Sequence, residues 1–167
     1  LQGIVFSCFI AFLLLFLLFP QKKSFEIDFL DVGQGDGIYL CTGGGTSMFI
    51  DGGSTDVKQV GKYRILPFLK AKGVSEISYW FVSHTDTDHV SGLKEVLVSG
   101  YRVEYLVFAK AVEKEAKTKE LAELARSHGT KVLYMQAGDT VRSKRAAMRC
   151  LYPKASDKAE DVNDLCL

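Results

Sequence analysis

His84, Asp86, Asp88 and His89 place four metal-ligating side chains within six residues, in the order His-Thr-Asp-Thr-Asp-His. Imidazole nitrogens and carboxylate oxygens are donors that zinc and manganese accept. Just before them, residues 78–82 (SYWFV) form an apolar run that reads as a buried strand. Ligand-type residues beyond the carboxyl end of such a strand lie where α/β sheets put their chemistry. A loop of alternating ligands can aim His84 and Asp86 at one point and Asp88 and His89 at another. Two points about 3.5–4 Å apart would hold two divalent ions around one water, the arrangement of two-metal hydrolases. A helix expected to start near Ser91 would turn its N-terminal dipole toward that site. A polar surface turn uses the same residue types, but four ligands directly after an all-apolar strand argue against it.

Other polar residues are weaker candidates. His128 precedes Gly129 at an expected helix end and reads as a cap. Asp139, in a Gly-Asp pair after an expected strand, is a second candidate ligand below the four. Cys8, Cys41, Cys150 and Cys166 lack C-x-x-C spacing, so they read as free thiols and not as a zinc knot or disulfide frame. No nucleophilic Ser or Cys stands out. Gly33, Gly35 and Gly37 are spaced G-x-G-x-G with no helix following, which is not a dinucleotide loop.

The elements that must position these residues follow from periodicity. FEIDFL (25–30) reads as a strand, with Phe25, Ile27 and Phe29 on one face. IYLCT (38–42) and TSMFI (46–50) read as a hairpin across Gly43–Gly45. Helices are expected over about 57–72 and 113–127, and further strands over 102–108, 131–135 and 146–152. Strands alternating with helices after an initial meander predict an α/β fold with a mixed sheet. NDLCL (163–167) reads as a strand just begun, from which the expectation is a domain that continues past this point.

Three motifs carry a resemblance. His84-x-Asp86-x-Asp88-His89 resembles the H-x-H-x-D-H motif of the metallo-β-lactamase superfamily, with Asp in place of the second His. FLDVGQGDG (29–37) and FIDGG (49–53) resemble the two strand-and-turn motifs that precede it there. The subgroup most similar is the soluble domain of ComEC-type competence proteins, the DNA-uptake channels of bacteria. The resemblance implies the N-terminal half of an αββα sandwich over 24–167. It implies two divalent ions, Zn²⁺ or Mn²⁺, in the complete site. His84 and Asp86 would bind the first and Asp88 and His89 the second, with Asp88 also acting catalytically on the attacking water. Asp51 would brace the motif from a neighbouring strand end, and Asp31 and Asp36 would lie near the mouth. An oxygen donor at Asp86 suits Mn²⁺ at least as well as Zn²⁺. The superfamily's later ligands have no counterpart in this stretch, so weak metal binding and little hydrolysis are expected of it alone.

The implied function is a DNA phosphodiesterase within a bacterial competence membrane protein, with other competence proteins as possible partners. Two alternatives stay open: a catalytically inactive, membrane-anchored half-domain, and a hydrolase of another class such as a β-lactamase. Residues 2–19 carry no charge and read as a transmembrane helix of roughly 27 Å. Lys22 and Lys23 favour a cytoplasmic domain, whereas the resemblance favours the outer face of the cell membrane. Net charge over the whole chain is +1, which excludes a basic nucleic-acid footprint by composition. Arg142, Lys144, Arg145 and Arg149 read as the solvated face of a strand pair.

Overall fold

The computed structural model describes residues 2–18, 24–143, 145–157 and 162–167. Its centre is a six-stranded sheet in sequential order. β1 (Glu26–Phe29), β2 (Gly37–Cys41) and β3 (Ser47–Asp51) form the antiparallel meander. β4 (Glu76–Phe81), β5 (Arg102–Ala109) and β6 (Lys131–Met135) continue in parallel with β3. Parallel neighbours need crossovers. These are a π-helical turn at Gly61–Ile65 running into α2 (Leu66–Ala71), then α3 (Thr87–Val98) and α4 (Ala116–Ser127). β7 (Thr140–Arg142) and β8 (Ala147–Arg149) form a separate antiparallel pair. Arg142, Arg145 and Arg149 are exposed on or beside it, and Lys144 lies outside the described residues.

Strand alternation divides the core in two. Tyr39, Phe49, Trp80, Leu106 and Phe108 turn toward the helices and pack on Ile65, Leu69, Leu93, Val96 and Leu121. Phe49 and Trp80 are register partners whose rings stack at 4.4 Å. Met48, Phe81, Val107 and Met135 turn the other way, against Val141 and Cys150. On β1, Ile27 and Phe29 are exposed, so the apolar face expected there is not covered.

Several expectations change. The site-flanking helix begins at Thr87 and not near Ser91, so Asp88 and His89 lie on its first turn. Asp86 is its N-cap, a position that suits Asp. Residues 162–165 form a 3₁₀ turn and not a strand. The expected strand at 146–152 shortens to β8, and its partner in the expected strand pair is β7.

α1 (Gln2–Leu18) is a 17-residue helix whose described side chains are all exposed. Among the described residues no helix is long and apolar enough to cross a membrane. The described part of the expected transmembrane segment 2–19 is the 17-residue α1, which rises about 25 Å against about 30 Å of hydrocarbon. Phe19, Pro20, Lys22 and Lys23 lie outside the described residues.

Three turns interlock behind the site. Asp36 N–H donates to the Asp88 carbonyl, Gly53 N–H to Asp36, and Leu93 N–H to Gly52. The approach is so close that a Cβ on Gly53 would lie 2.4 Å from both Asp88 C and Thr87 O. Both contacts are backbone, so the turn or the helix must move. Gly53→Ala should therefore lower unfolding stability by about 1–3 kcal/mol, the cost of overpacking. Urea denaturation measures it, and an unchanged midpoint would show that these turns give way freely.

Candidate metal centre

Asp51 ends β3 with its carboxylate buried, 4% exposed. The chain turns there through a left-handed conformation, φ 56°. Such a φ costs a non-glycine residue roughly 1–2 kcal/mol, although Asp tolerates it better than most. The hydrogen bonds around Asp51 outweigh that cost. Ser83 donates its N–H to Oδ1 at 2.8 Å and its hydroxyl to Oδ2 at 2.7 Å. Trp80 Nε1–H donates to the Asp51 carbonyl at 2.6 Å. Bonds to a carboxylate are worth about 1.5–3 kcal/mol each.

His89 Nδ1 lies 3.0 Å from Asp51 Oδ2. An Nδ1–H donated to that carboxylate leaves Nε2 with a lone pair, the usual state of a metal-binding imidazole. His89 Nε2 lies 3.6 Å from Asp88 Oδ2. The His84 and His89 rings face each other at 3.7 Å between centroids. His84, Asp88 and His89 each bring a ligand atom within 4.8 Å of the other two. Two nitrogens and a carboxylate oxygen are a donor set for one divalent ion, and three protein ligands leave a position for water or substrate. A second triple, Asp36, Asp51 and His89, meets the same distance. It shares His89 with the first set and uses a carboxylate already committed to Ser83, so it fits a bracing role better.

The four expected ligands are thus not treated alike. His84, Asp88 and His89 converge. The Asp86 carboxylate instead meets Lys117 Nζ at 2.8 Å, across from the first turn of α4. That carboxylate raises the Lys117 pKa through the hydrogen bond and its charge. Asp36, expected at the mouth, has Oδ2 3.7 Å from His89 Nδ1. Asp31 lies apart, near Arg64. His128 closes the end of α4, its Nδ1 2.9 Å from the Leu124 carbonyl. Asp139 accepts from Gln136 N–H within its turn.

Sequence reading missed Ser83, which also sits 3.1 Å from His84 Nδ1. Its place directly before the motif was the available signal. It also missed Asp56, which accepts from Gln34 N–H and the Ser54 hydroxyl and so has a lowered pKa. Cys166 Sγ lies 3.7 Å from His84 Nδ1, which brings the 162–167 segment to the rim of the site.

No family model matches the chain. ComE operon protein 3 of Bacillus subtilis (strain 168) is 28% identical over 169 residues, covering 93% of this chain and 22% of that protein. Recombination protein 2 of Haemophilus influenzae is 31% identical over 106 residues, covering 62% of this chain and 13% of that protein. The chain is homologous to both over these stretches and spans less than a quarter of either. Similar solved structures include two metallo-β-lactamases. One, a HARLDQ-motif mutant from Cronobacter sakazakii, aligns over 70% of this chain and 47% of its own, at 16% identity and TM-score 0.49. One from Staphylococcus aureus aligns over 77% and 34%, at 12% identity and TM-score 0.49. The kinship rests on the sequence matches.

Asp51→Asn keeps the side-chain size but replaces one acceptor oxygen with a donor. Metal affinity should fall about 10–100-fold, the effect of losing a partner that orients a ligand. Competition with a chromophoric chelator reads the affinity, and circular dichroism checks the fold. Unchanged affinity in a folded variant would remove Asp51 from the centre.

Proposed function

We propose that this chain is a metal-dependent hydrolase domain acting on DNA, a phosphodiesterase part of a bacterial DNA-uptake membrane protein. The convergence of His84, Asp88 and His89 on one point, with His89 turned by the buried Asp51, carries the hydrolase reading. Kinship with ComE operon protein 3 and Recombination protein 2, together with the three motifs, supports DNA as the substrate over a β-lactam. The activity and partners of those whole proteins extend to this chain only as part of the proposal.

In this reading His84, Asp88 and His89 hold the first divalent ion, Zn²⁺ or Mn²⁺. Asp86, if released from Lys117, would add a carboxylate donor for a second ion. Bound metal would supply Lewis-acid polarisation of the phosphodiester and activation of water. Asp88 orients the attacking water through its carboxylate. Asp51 and Ser83 keep the His89 ring fixed, which matters because small displacements of catalytic groups can cost about 100-fold in rate. The apolar circumference of α1 supports association with the bacterial membrane, and the resemblance supports the outer face with other competence proteins as neighbours. One observation favours a second reading, binding without turnover: Asp86 is engaged by Lys117 and stands outside the donor cluster.

The test is cleavage of a fluorescent single-stranded oligonucleotide by this chain with Mn²⁺ or Zn²⁺. Weak, chelator-sensitive cleavage is expected. His89→Ala should reduce it by at least about 100-fold. Cleavage that persists in His89→Ala would place the chemistry elsewhere. A folded, metal-loaded protein that leaves DNA intact would support binding without turnover.

A further inference from the structure

A cavity of about 290 Å³ borders the motif loop and is lined by neither His84 nor His89. Thr85, Thr87 and Ser91 line it from the loop and α3, and Lys94, Lys117 and Glu120 from α3 and α4. Thr85 and Thr87 are the two residues interleaved with the expected ligands. The cavity therefore shares its wall with the metal centre. Its hydroxyls and ammonium groups are donors suited to a tetrahedral oxyanion.

Charge decides whether it would take one. Lys94 Nζ faces Glu120 at 3.9 Å, and Lys117 Nζ faces Asp86 at 2.8 Å. With both pairs closed, the two cations are offset by two anions. Lys117 gains nothing from its own helix, because a cation in a first turn opposes the helix dipole. The Lys117 and Asp86 side chains are 70% and 43% exposed, so their pairing is weak and easily exchanged. Asp86 is also the one expected ligand outside the donor cluster.

We propose that Lys117 is a displaceable counter-ion that couples the metal centre to a phosphodiester-binding cavity. It holds Asp86 while no metal competes for that carboxylate, and is released into the cavity when Asp86 turns to the metal. The inference rests on the metal-site reading above and names the chemistry that the neighbouring cavity would take. Once Lys117 is released, Lys94 and Lys117 outnumber Glu120 and the cavity carries a net positive charge. An anionic diester bound there holds Lys117 away from Asp86 in turn. Linkage makes the coupling reciprocal: metal favours the diester, and the diester favours metal by the same factor. Lys117 is thus a positioning residue for Asp86 and a binding residue for substrate phosphate.

The test reads metal affinity by chelator competition in a double-mutant cycle. Lys117→Ala should tighten metal binding about two- to five-fold, the range of one exposed ion pair. In an Asp86→Asn background the same change should have no effect; the Asp86 side chain makes no capping bond to α3, so Asn leaves the helix start intact. Dimethyl phosphate, the smallest phosphodiester of this type, is then added at constant ionic strength. It should tighten metal binding in the unaltered chain and not in Lys117→Ala. An equal gain from Lys117→Ala in both backgrounds would reveal only a general field and overturn the exchange. A diester effect that survives Lys117→Ala would overturn the phosphate role. Failure of the underlying metal reading looks different: His89→Ala would then leave metal affinity unchanged.

Discussion

The site depends on one buried carboxylate. Asp51 ties together three segments far apart in sequence: the end of β3, Ser83 after β4, and His89 on the first turn of α3. It does so from a left-handed backbone conformation that is unfavourable in isolation. The conformation persists because Ser83 and Trp80 hold both its side chain and its carbonyl. Trp80 is itself fully buried and stacked on Phe49 one strand away. Core packing is thereby transmitted to the ring of His89 through two hydrogen bonds.

The turns around that carboxylate leave little freedom. Gly53 approaches the backbone at Thr87–Asp88 too closely for any side chain, and Asp36 bridges the same two segments through its own N–H and C=O. The motif residues FLDVGQGDG and FIDGG therefore act as a cradle for the first turn of α3. The sequence is Gly-rich there because backbones meet backbones, and only Gly permits such approach.

Much of this was legible beforehand. The alternating β and α pattern and the strand feeding the motif follow from periodicity, and the position of Asp51 at a strand end beside the motif follows from the resemblance. Three features were not legible. The start of α3 lies four residues before Ser91, because the motif itself runs from the N-cap Asp86 into the first helical turn. The Asp86–Lys117 pair spans 31 residues and depends on how α4 lies over α3, which no local pattern encodes. The final segment has the composition of a strand, yet it packs as a turn, with Leu165 against Ala109 and Val112. Propensity there yields to the nearest available apolar surface.

The two faces of the sheet bear unequally on the centre. On the helix side, Leu93, Val96 and Leu121 pack against fully buried strand residues, and this fixes α3 and with it Asp88 and His89. On the other side, Ser83 borders a cavity of about 180 Å³ whose walls include Ile50, Phe81, Met135, Met148 and Leu167. Ser83 thus has an apolar wall beside it while its hydroxyl serves Asp51. A hydrogen bond in such low-dielectric surroundings is electrostatically stronger than in water, and an unpaired carboxylate there costs more. Asp51 is therefore held to Ser83 and His89 from both directions: by the bonds it makes and by the absence of a solvated alternative. His84 meets the same Ser83 hydroxyl at 3.1 Å, whereas Asp88 is about one-third exposed.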